Sequence, residues 1–552
     1  MGNVATVKDP RAHTSTNQYY NSRLLKKVIA PSPFSDNYSI HYEYYDDGKL
    51  KHVKQNTSED GWVYHQSIKY NARGLKKEVK GPYKSGQDLG INLTKFEYDA
   101  LGRLTKVTDA ENNVTETRYY PDNKVWRVID AEDHNNVTNT YDANGYLIKV
   151  EDAKGNATEY EYNGFGGLKK TIYADGTWTG PTYSSIRETR SIRTRAGDTI
   201  TTWYDHLNRI KRKVIPEGQN QYLDIKYRYD LRGRLTETYE YNTSSPDKAR
   251  LIRNNYDDAG RLTKVEYEGG KDVSYEYDAA GNRTKLTYPD DTYITYEYDN
   301  INRLTKIKNQ GGSTLAQYTY DSRSRRTDLD YLNGTTIDYT YDAASRLTTI
   351  DNGTDNDDHD YDYTYDKVGN RLTMLVNGTD THSYTYDDIY QLTEVDYPGS
   401  YSFSDDTTFN YDDVGNRTSV VESGTTNYSA NNLNQYDYVG SVYYDYDENG
   451  NTTYDGVAYY SYDSENRLTS ATNADGSTGG VLNAALDNMD LTFTTGGDAD
   501  WAPIRPDAHD PNYGGPDFGK ERRYRRQRRV VAQDHDVRRR HVQVLLQEGR
   551  RD

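Results

Sequence analysis

The chain has 552 residues, a formal net charge of −18 and no cysteine. The absence of cysteine excludes disulfides and thiolate metal sites, and the acidity argues against nucleic acid as the main partner of the repeats described below. Tyrosine greatly outnumbers phenylalanine, 58 residues against 7, so aromatic burial would bring hydroxyl groups that need partners. We therefore expect a thin β-wall with polar contacts in place of a closed apolar core.

Residues 1–95 carry weak copies of a unit that becomes clear further along the chain, for example around Tyr44 and Tyr70. Residues 2–9 match the second half of that unit, so the chain is expected to start inside an array and to be a fragment. A degenerate first repeat that acts as a cap is the alternative. The N-terminus lacks the apolar core of a signal peptide, and no segment is apolar enough to span a bilayer.

Residues 96–420 form the main array, with the template Tyr-Asp-x-x-Gly-[Arg/Asn]-[Leu/Arg]. Clear copies begin at Tyr98, Tyr256, Tyr277, Tyr365 and Tyr411. From residue 120 to residue 204 the recurrent tyrosine returns about every 21 residues. A fixed period of this length indicates a repeat architecture in which each unit buries its face by stacking on its neighbours.

Each unit reads as a β-hairpin. Tyr275 and Tyr277 flank Glu276, which is the alternation of a half-buried strand. Asp278 is expected to open a turn by accepting a hydrogen bond from the backbone two residues on. Gly281 supplies a positive φ, as in a type I turn followed by a left-handed glycine. A second strand and another turn then complete the unit.

These motifs resemble the YD repeats of bacterial Rhs proteins and the YD-repeat shell of the animal teneurins, over roughly residues 40–470. The resemblance implies a long β-ribbon that spirals into a hollow shell, whereas periodicity alone would also allow an open solenoid or a propeller. We predict an all-β fold: a repetitive β-hairpin array forming a spiral YD-repeat shell or solenoid, with an irregular or disordered C-terminal tail.

Residues 421–472 hold the terminal repeats, including a stretch from Asn431 to Tyr436 that resembles the late part of Rhs arrays. Residues 473–552 form a non-repeat tail. Its residues 482–501 resemble the opening of a secreted β-sandwich module, and arginines then cluster at residues 522–529 and 538–540. The arginines could bind an anionic partner or lie in a disordered tail, but we favour a shifted reading frame because the module is interrupted.

No catalytic constellation, phosphate loop or zinc-protease motif occurs in the sequence, so we expect no enzyme, no catalytic residue, no metal site and no cofactor. The acidic run at residues 355–360 could bind Ca²⁺, but it lacks the spacing of a calcium loop and is interpreted as a solvated loop. The arginine-rich copy at residues 187–195 is interpreted as a solvated strand face.

The tyrosine rows suit sugar rings, to which the resembled family has also been linked, but we favour a structural role because every repeat carries them. We predict a non-enzymatic, extracellular or cell-surface interaction protein whose partners are glycans or another protein. The alternative is an encapsulating shell fragment of a polymorphic toxin from bacterial competition, with a toxin domain enclosed in a longer parent protein. The conserved core and cargo domain of Rhs toxins are missing from this sequence, which counts against that alternative.

Overall fold

A computed structural model describes residues 3–31, 39–57, 61–86, 92–183, 189–216, 221–243, 250–353, 360–399 and 406–474, and all structural statements refer to these. The chain divides into two compact units, Met1–Gly496 and Gly497–Asp552, and every described residue lies in the first. The acidic run, apart from Asp360, and the arginine clusters of the tail lie outside the described residues.

The all-β prediction is confirmed, since the described residues form strands and no helix. The strands, in chain order, are β1 (Thr6–Lys8), β2 (Thr14–Tyr19), β3 (Leu25–Ile29), β4 (Ile40–Tyr44), β5 (Leu50–Thr57), β6 (Gly61–Tyr70), β7 (Lys76–Lys80), β8 (Tyr83–Lys84), β9 (Leu93–Tyr98), β10 (Leu104–Thr108), β11 (Val114–Tyr119), β12 (Val125–Ile129), β13 (Val137–Tyr141), β14 (Leu147–Glu151), β15 (Ala157–Tyr162), β16 (Leu168–Ile172), β17 (Trp178–Tyr183), β18 (Thr189–Arg193), β19 (Thr199–Tyr204), β20 (Ile210–Pro216), β21 (Tyr222–Tyr229), β22 (Leu235–Asn242) and β23 (Arg250–Tyr256).

The series continues with β24 (Leu262–Tyr267), β25 (Val273–Tyr277), β26 (Arg283–Thr287), β27 (Tyr293–Tyr298), β28 (Leu304–Asn309), β29 (Thr314–Tyr320), β30 (Arg326–Tyr331), β31 (Thr336–Tyr341), β32 (Leu347–Asp351), β33 (Tyr361–Tyr365), β34 (Arg371–Val376), β35 (Asp380–Tyr386), β36 (Leu392–Asp396), β37 (Thr407–Tyr411), β38 (Arg417–Val421), β39 (Thr425–Ala430), β40 (Tyr436–Val439), β41 (Val442–Tyr443), β42 (Asp445–Tyr446), β43 (Thr452–Tyr454), β44 (Ala458–Tyr462) and β45 (Leu468–Asn473).

The strands form one antiparallel sheet of 41 strands, β1 to β41, and a second sheet of four, β42 to β45. Almost every strand pairs with its neighbours in the sequence; around β8, however, β6 pairs with β8 and β7 with β9. The domain borders predicted at residues 95, 420 and 472 stay predictions.

The predicted hairpin chemistry is present in each clear repeat. In the hairpin of β25 and β26, the amide of Gly281 donates to the carbonyl of Asp278 over 3.1 Å. Gly281 has a φ of +95°, and the strand register shifts at Tyr277. This is a type I turn followed by a bulge, a geometry that twists the two strands together. We call these turns, which follow the recurrent tyrosine, YD turns. The turns that join one hairpin to the next are called return turns.

The ribbon winds back on itself, and this confirms the predicted spiral. Hydrogen bonds join residues that lie between 248 and 291 positions apart in the sequence. We call residues 3–261 the first winding and residues 262–474 the second winding. Most of these hydrogen bonds run from return turns of the first winding to YD turns of the second winding, so the turns form the seam between the windings.

The apolar interior is small, as expected for a thin wall. A cluster of Ile215, Leu223 and Ile225 is at most 7% exposed, with Ile200 and Tyr227 packed against it. These side chains come from β19, β20 and β21 of the first winding. Elsewhere, half-buried tyrosine and aliphatic side chains alternate with exposed polar ones along the strands.

Candidate functional surface

Each YD turn is closed by its aspartate. In the turn after β27, Oδ1 of Asp299 accepts hydrogen bonds from the amides of Ile301 at 3.0 Å and Arg303 at 2.9 Å. The second oxygen, Oδ2, accepts from Nε of Arg303 at 2.6 Å. The carboxylate thus satisfies donors two and four residues on, which confirms the role predicted for the aspartate of the template.

The arginine of one YD turn also binds the next repeat. Nη1 of Arg303 donates to the carbonyl of Asp321 over 3.2 Å, and its guanidinium lies 4.6 Å from the ring centroid of Tyr320. The hydroxyl of Tyr320 donates back to the carbonyl of Leu304 over 2.7 Å. Successive turns are therefore linked in a ladder of carboxylate, guanidinium and phenol. The Asp–Arg step recurs at Asp99 with Arg103, Asp205 with Arg209, Asp230 with Arg234, Asp257 with Arg261, Asp321 with Arg325, Asp342 with Arg346, and Asp463 with Arg467.

Two carboxylates of the ladder, those of Asp205 and Asp257, are not poised for acid–base chemistry. Hydrogen bonds from the backbone amide and then the guanidinium of Arg209 lower the pKa of Asp205 below its usual value. The backbone amide of Arg261 is the main cause of the lowered pKa of Asp257. Carboxylates with lowered pKa values are ionised at neutral pH, so they hold turns and are poor proton donors.

The recurrent tyrosines have the hydroxyl partners that the sequence led us to expect. The hydroxyl of Tyr277 donates to the carbonyl of Leu262 over 2.8 Å, and Tyr256 makes the same contact to Leu235. Burial raises the pKa of Tyr277. These contacts tie each hairpin to the preceding one, which favours the structural interpretation of the tyrosine rows.

The Asp–Arg step is absent from several YD turns, among them the two consecutive turns that follow β13 and β15. Tyr146 stands where the Asp–Arg turns have arginine, and its ring stacks on Tyr162 with centroids 5.0 Å apart and planes 23° apart. The next turn has Asn163 and Gly167 in place of the Asp–Arg pair. An open cleft of about 440 Å³ lies here, lined by Asp142, Asn144, Tyr146, Ile148, Tyr160, Tyr162, Asn163, Gly164 and Gly166.

Two features keep this cleft open and polar. Oδ1 of Asp142 closes its own turn through the amides of Asn144 and Tyr146, but no described residue bonds to Oδ2. Gly166 has a φ of +76°, and a Cβ there would come within 2.1 Å of the hydroxyl of Tyr146. The departure from the template is visible in the sequence, although these residues were not among the predicted site residues.

The seam between the windings is a row of polar contacts. Nζ of Lys154, in a return turn, lies 2.8 Å from Oδ2 of Asp412 in a YD turn, and Lys367 donates its amide to Glu111 over 2.7 Å. Tyr390 donates its hydroxyl to Asp109. Further seam contacts join Arg11 to Asp299 and Asn302, Gln55 to Ser322, His134 to Asp413, Asn434 to Asp152, Asn432 to Ala174, Ala196 to Asn449, and Ser464 to Asp198 and Pro216.

The interpretation of residues 187–195 as a solvated strand face is wrong for two of its arginines. The Arg193 guanidinium lies 4.1 Å from the ring centroid of Trp178, and Nη1 donates to the Trp178 carbonyl over 2.7 Å. Arg195 pairs with Asp175 at 2.7 Å and reaches the carbonyl of Asn449 across the seam. Arg193 is covered by Trp178 of the adjacent strand β17, whereas Arg195 is covered because the second winding lies against its turn.

The described residues contain no group of three or more histidine, aspartate or glutamate side chains that could hold a metal ion. The calcium alternative for the acidic run therefore stays untested, because residues 355–359 lie outside the described part of the chain. None of the described segments is a helix long and apolar enough to cross a membrane.

Comparisons with known proteins agree with this architecture. Residues 181–331 match the family model of the teneurin YD-shell, and residues 141–177 match the RHS repeat. No curated protein matches the chain. Among solved structures, TcdB2-TccC3 without its hypervariable C-terminal region is similar over 83% of this chain and 30% of that chain, with 14% identity and a TM-score of 0.50.

A second solved structure, TcdB2-TccC3-Cdc42, is similar over 85% of this chain and 30% of that chain, with 16% identity and a TM-score of 0.51. The matched region is thus about a third of the length of these solved chains. The family models rest on the repeats, and the solved structures have the same wound fold. The chain therefore contains repeats of the RHS and teneurin YD-shell type, matched at residues 141–177 and 181–331.

Proposed function

We propose that the chain is a wall segment of a hollow shell that encloses a toxin polypeptide and acts outside the cell that makes it. The observation that carries this proposal is the seam, because polar contacts between successive windings turn a ribbon into a continuous wall. The ladder and the tyrosine contacts give the recurrent tyrosine, aspartate and arginine a structural task, so we infer that the array is non-enzymatic.

The likeness to TcdB2-TccC3 supports the same function. That protein has a hypervariable C-terminal region, which one of the two solved structures lacks, and the other structure combines TcdB2-TccC3 with Cdc42. By analogy, we propose that a variable polypeptide is carried inside the wall in the present case. The borders at residues 95, 420 and 472 then separate divergent, main and terminal parts of one wall.

Enclosure predicts protection from proteases. A flexible reporter with one protease site, appended after Asp552, should be cleaved more slowly than the same reporter on an ordinary soluble carrier. The double variant Lys154→Glu, Glu111→Lys should open the seam and restore fast cleavage. The new glutamate at position 154 repels Asp412, and the new lysine at position 111 repels Lys367. Cleavage is followed by gel electrophoresis over time.

The matched control reverses the same two charges on exposed strand positions, as Lys77→Glu and Glu394→Lys. This control should keep the slow cleavage of the wild type. Equal cleavage of the reporter on the wild type, on the seam variant and on the soluble carrier would contradict enclosure.

A second candidate function, binding of a neutral sugar, is favoured by the cleft at Tyr146. An aromatic ring at the wall of an open cleft offers a stacking surface, and Oδ2 of Asp142 and the side-chain amide of Asn144 can bond hydroxyl groups. The proposed glycan site is this cleft and not the tyrosine rows, whose hydroxyls are already bonded within the sheet.

Sugar binding at the cleft predicts a local effect of substitution. On an array of neutral oligosaccharides, Tyr146→Ala and Asp142→Ala should each abolish a signal that the wild type gives. Tyr331→Ala is the matched control, because Tyr331 is 43% exposed and Tyr146 is 38% exposed. A wild-type signal that survives both cleft substitutions, or no wild-type signal at all, would rule out this site.

A further inference from the structure

One contact of the seam contains a histidine. His65 lies on β6 at a bulge, where the pairing with β5 shifts between Val53 and Lys54 and leaves His65 without an opposite residue. Bulges re-aim side chains, and here the His65 Nε2 lies 3.1 Å from Oε1 of Gln55 on β5. The histidine therefore supports a glutamine that itself reaches the other winding.

That glutamine joins His65 to the second winding. The side-chain amide of Gln55 donates to the carbonyl of Ser322, in a YD turn of the second winding, over 2.8 Å. Because Oε1 is the one acceptor of a glutamine side chain, the His65 Nε2 must carry the hydrogen of its contact. Gln55 and Ser322 are 3% and 4% exposed, so solvent is largely excluded from this bridge.

The YD turn of the second winding favours the neutral imidazole. Burial, and after it the charge of Arg323 in this turn, lower the pKa of His65. Protonation at Nδ1 would place a positive charge inside the seam near a guanidinium, while the contact to Gln55 already uses Nε2. The carboxylate of Asp321 in the same turn is engaged by Arg325 and does not contribute to the pKa of His65.

The strands around His65 supply no described carboxylate that would offset its charge. On β5, His52 and Lys54 lie against the ring of Tyr64, which points to the other face of β6. Lys84 of β8 lies on the same face as His65 and is itself a cation. In the described part of the chain, a protonated His65 would therefore meet positive charge and little water.

We propose that protonation of His65 in mildly acidic solution opens the seam at this contact. The neutral imidazole holds Gln55 against Ser322, whereas the imidazolium is better solvated when the windings separate. The closed seam thus binds fewer protons than the open one. Its stability is complete above the ordinary pKa of histidine, about 6.5, and falls as the pH drops below that value.

A second histidine of the seam has the opposite surroundings. His134 lies between Asp130 at 3.3 Å and Asp413 at 3.7 Å, and a positive charge on its ring would pair with both carboxylates. Acid should therefore not open the seam at His134. The proposed response is local to His65, and it does not depend on whether the wall encloses a polypeptide.

A single cysteine tests the proposal, because the chain has none of its own. Ser322→Cys places a thiol in the buried turn. Its labelling by a maleimide is compared at each pH with labelling of the same variant unfolded in urea, so that the titration of the thiol cancels. Between about pH 7.5 and about pH 5.5 the protection should fall severalfold, and by at most about tenfold per pH unit because one proton is involved. Circular dichroism at each pH shows whether the fold persists.

His65→Gln in the Ser322→Cys background should remove this fall, because the new amide can still donate to Gln55 but does not titrate. His206→Gln is the matched control, since His206 is exposed in a YD turn of the first winding, and it should leave the fall unchanged. Protection that is independent of pH overturns the proposal, and so does an equal fall with His65→Gln. A fall that coincides with loss of the circular dichroism signal would be general acid unfolding and would equally overturn it.

Discussion

Replacement of Asp321 by alanine is expected to destabilise the second winding by about 3–5 kcal/mol, the range found when one partner of a buried ion pair is removed. Asp321 and Arg325 have side chains only 5% and 12% exposed. Oδ1 of Asp321 also accepts the amides of Arg323 and Arg325, each over 2.9 Å. The substitution therefore leaves a largely buried guanidinium without its carboxylate, and two amide donors of the turn without their acceptor.

Asp257→Ala is the matched control for this prediction. Asp257 makes the same contacts to Arg261, but the two side chains are 23% and 31% exposed and the tip of their turn is bare. Water can replace the lost partner there, so the loss should be clearly smaller. The measurement is urea unfolding combined with hydrogen exchange of strands β29 to β32, because repeat arrays open locally.

The difference between the stability losses of these two variants measures what cover by the seam adds to the Asp–Arg contact. Gln55 of the first winding donates to the carbonyl of Ser322, which is 4% exposed, over 2.8 Å. Cover by the other winding is what excludes water from the Asp321 turn. Equal losses for Asp257→Ala and Asp321→Ala would mean that this cover adds nothing to the strength of the ladder.

The local part of the fold could be predicted because its causes lie within a few residues. The carboxylate of Asp278 accepts the amide of Asn282, and Gly281 takes a positive φ, through contacts that span four residues or fewer. Alternation around Glu276 places Tyr275 and Tyr277 on one face. The fixed period then repeats each local solution, so one correctly interpreted unit describes most of the array.

The seam could not be predicted from the residues because it depends on the accumulated twist and curvature of the whole ribbon. Asp257 and Asp321 open turns of the same local type, yet only the second is covered. The position of a return turn over a YD turn is set by every hairpin between them, and a small change in twist per hairpin would move the contact along the rim. For the same reason, the partners of Arg195 and Lys154 had no signal in the sequence. The prediction of a spiral came from the resemblance to the Rhs and teneurin repeats.

Replacement of Ile215 by alanine should cost about 2–5 kcal/mol, the usual range for truncating a buried isoleucine, and Ile215→Val about 0.5–1.5 kcal/mol. Ile215 is 0% exposed on β20 and lies opposite Leu223 of β21. A polar wall has few such sites, so the cavity left by the truncation has little neighbouring apolar packing that could close it. Urea unfolding with hydrogen exchange of β19 to β21 measures the loss.

Ile210→Ala provides the control on the same strand, because Ile210 is 37% exposed and its truncation leaves no cavity. The effect of Ile215→Ala should also reach the seam, since the carbonyl of the next residue, Pro216, accepts the hydroxyl of Ser464 over 2.6 Å. Faster exchange in β44 and β45 of the variant would show this coupling. A loss no greater than that of Ile210→Ala would mean that the three-residue cluster is not a core, and that polar contacts alone hold this part of the wall.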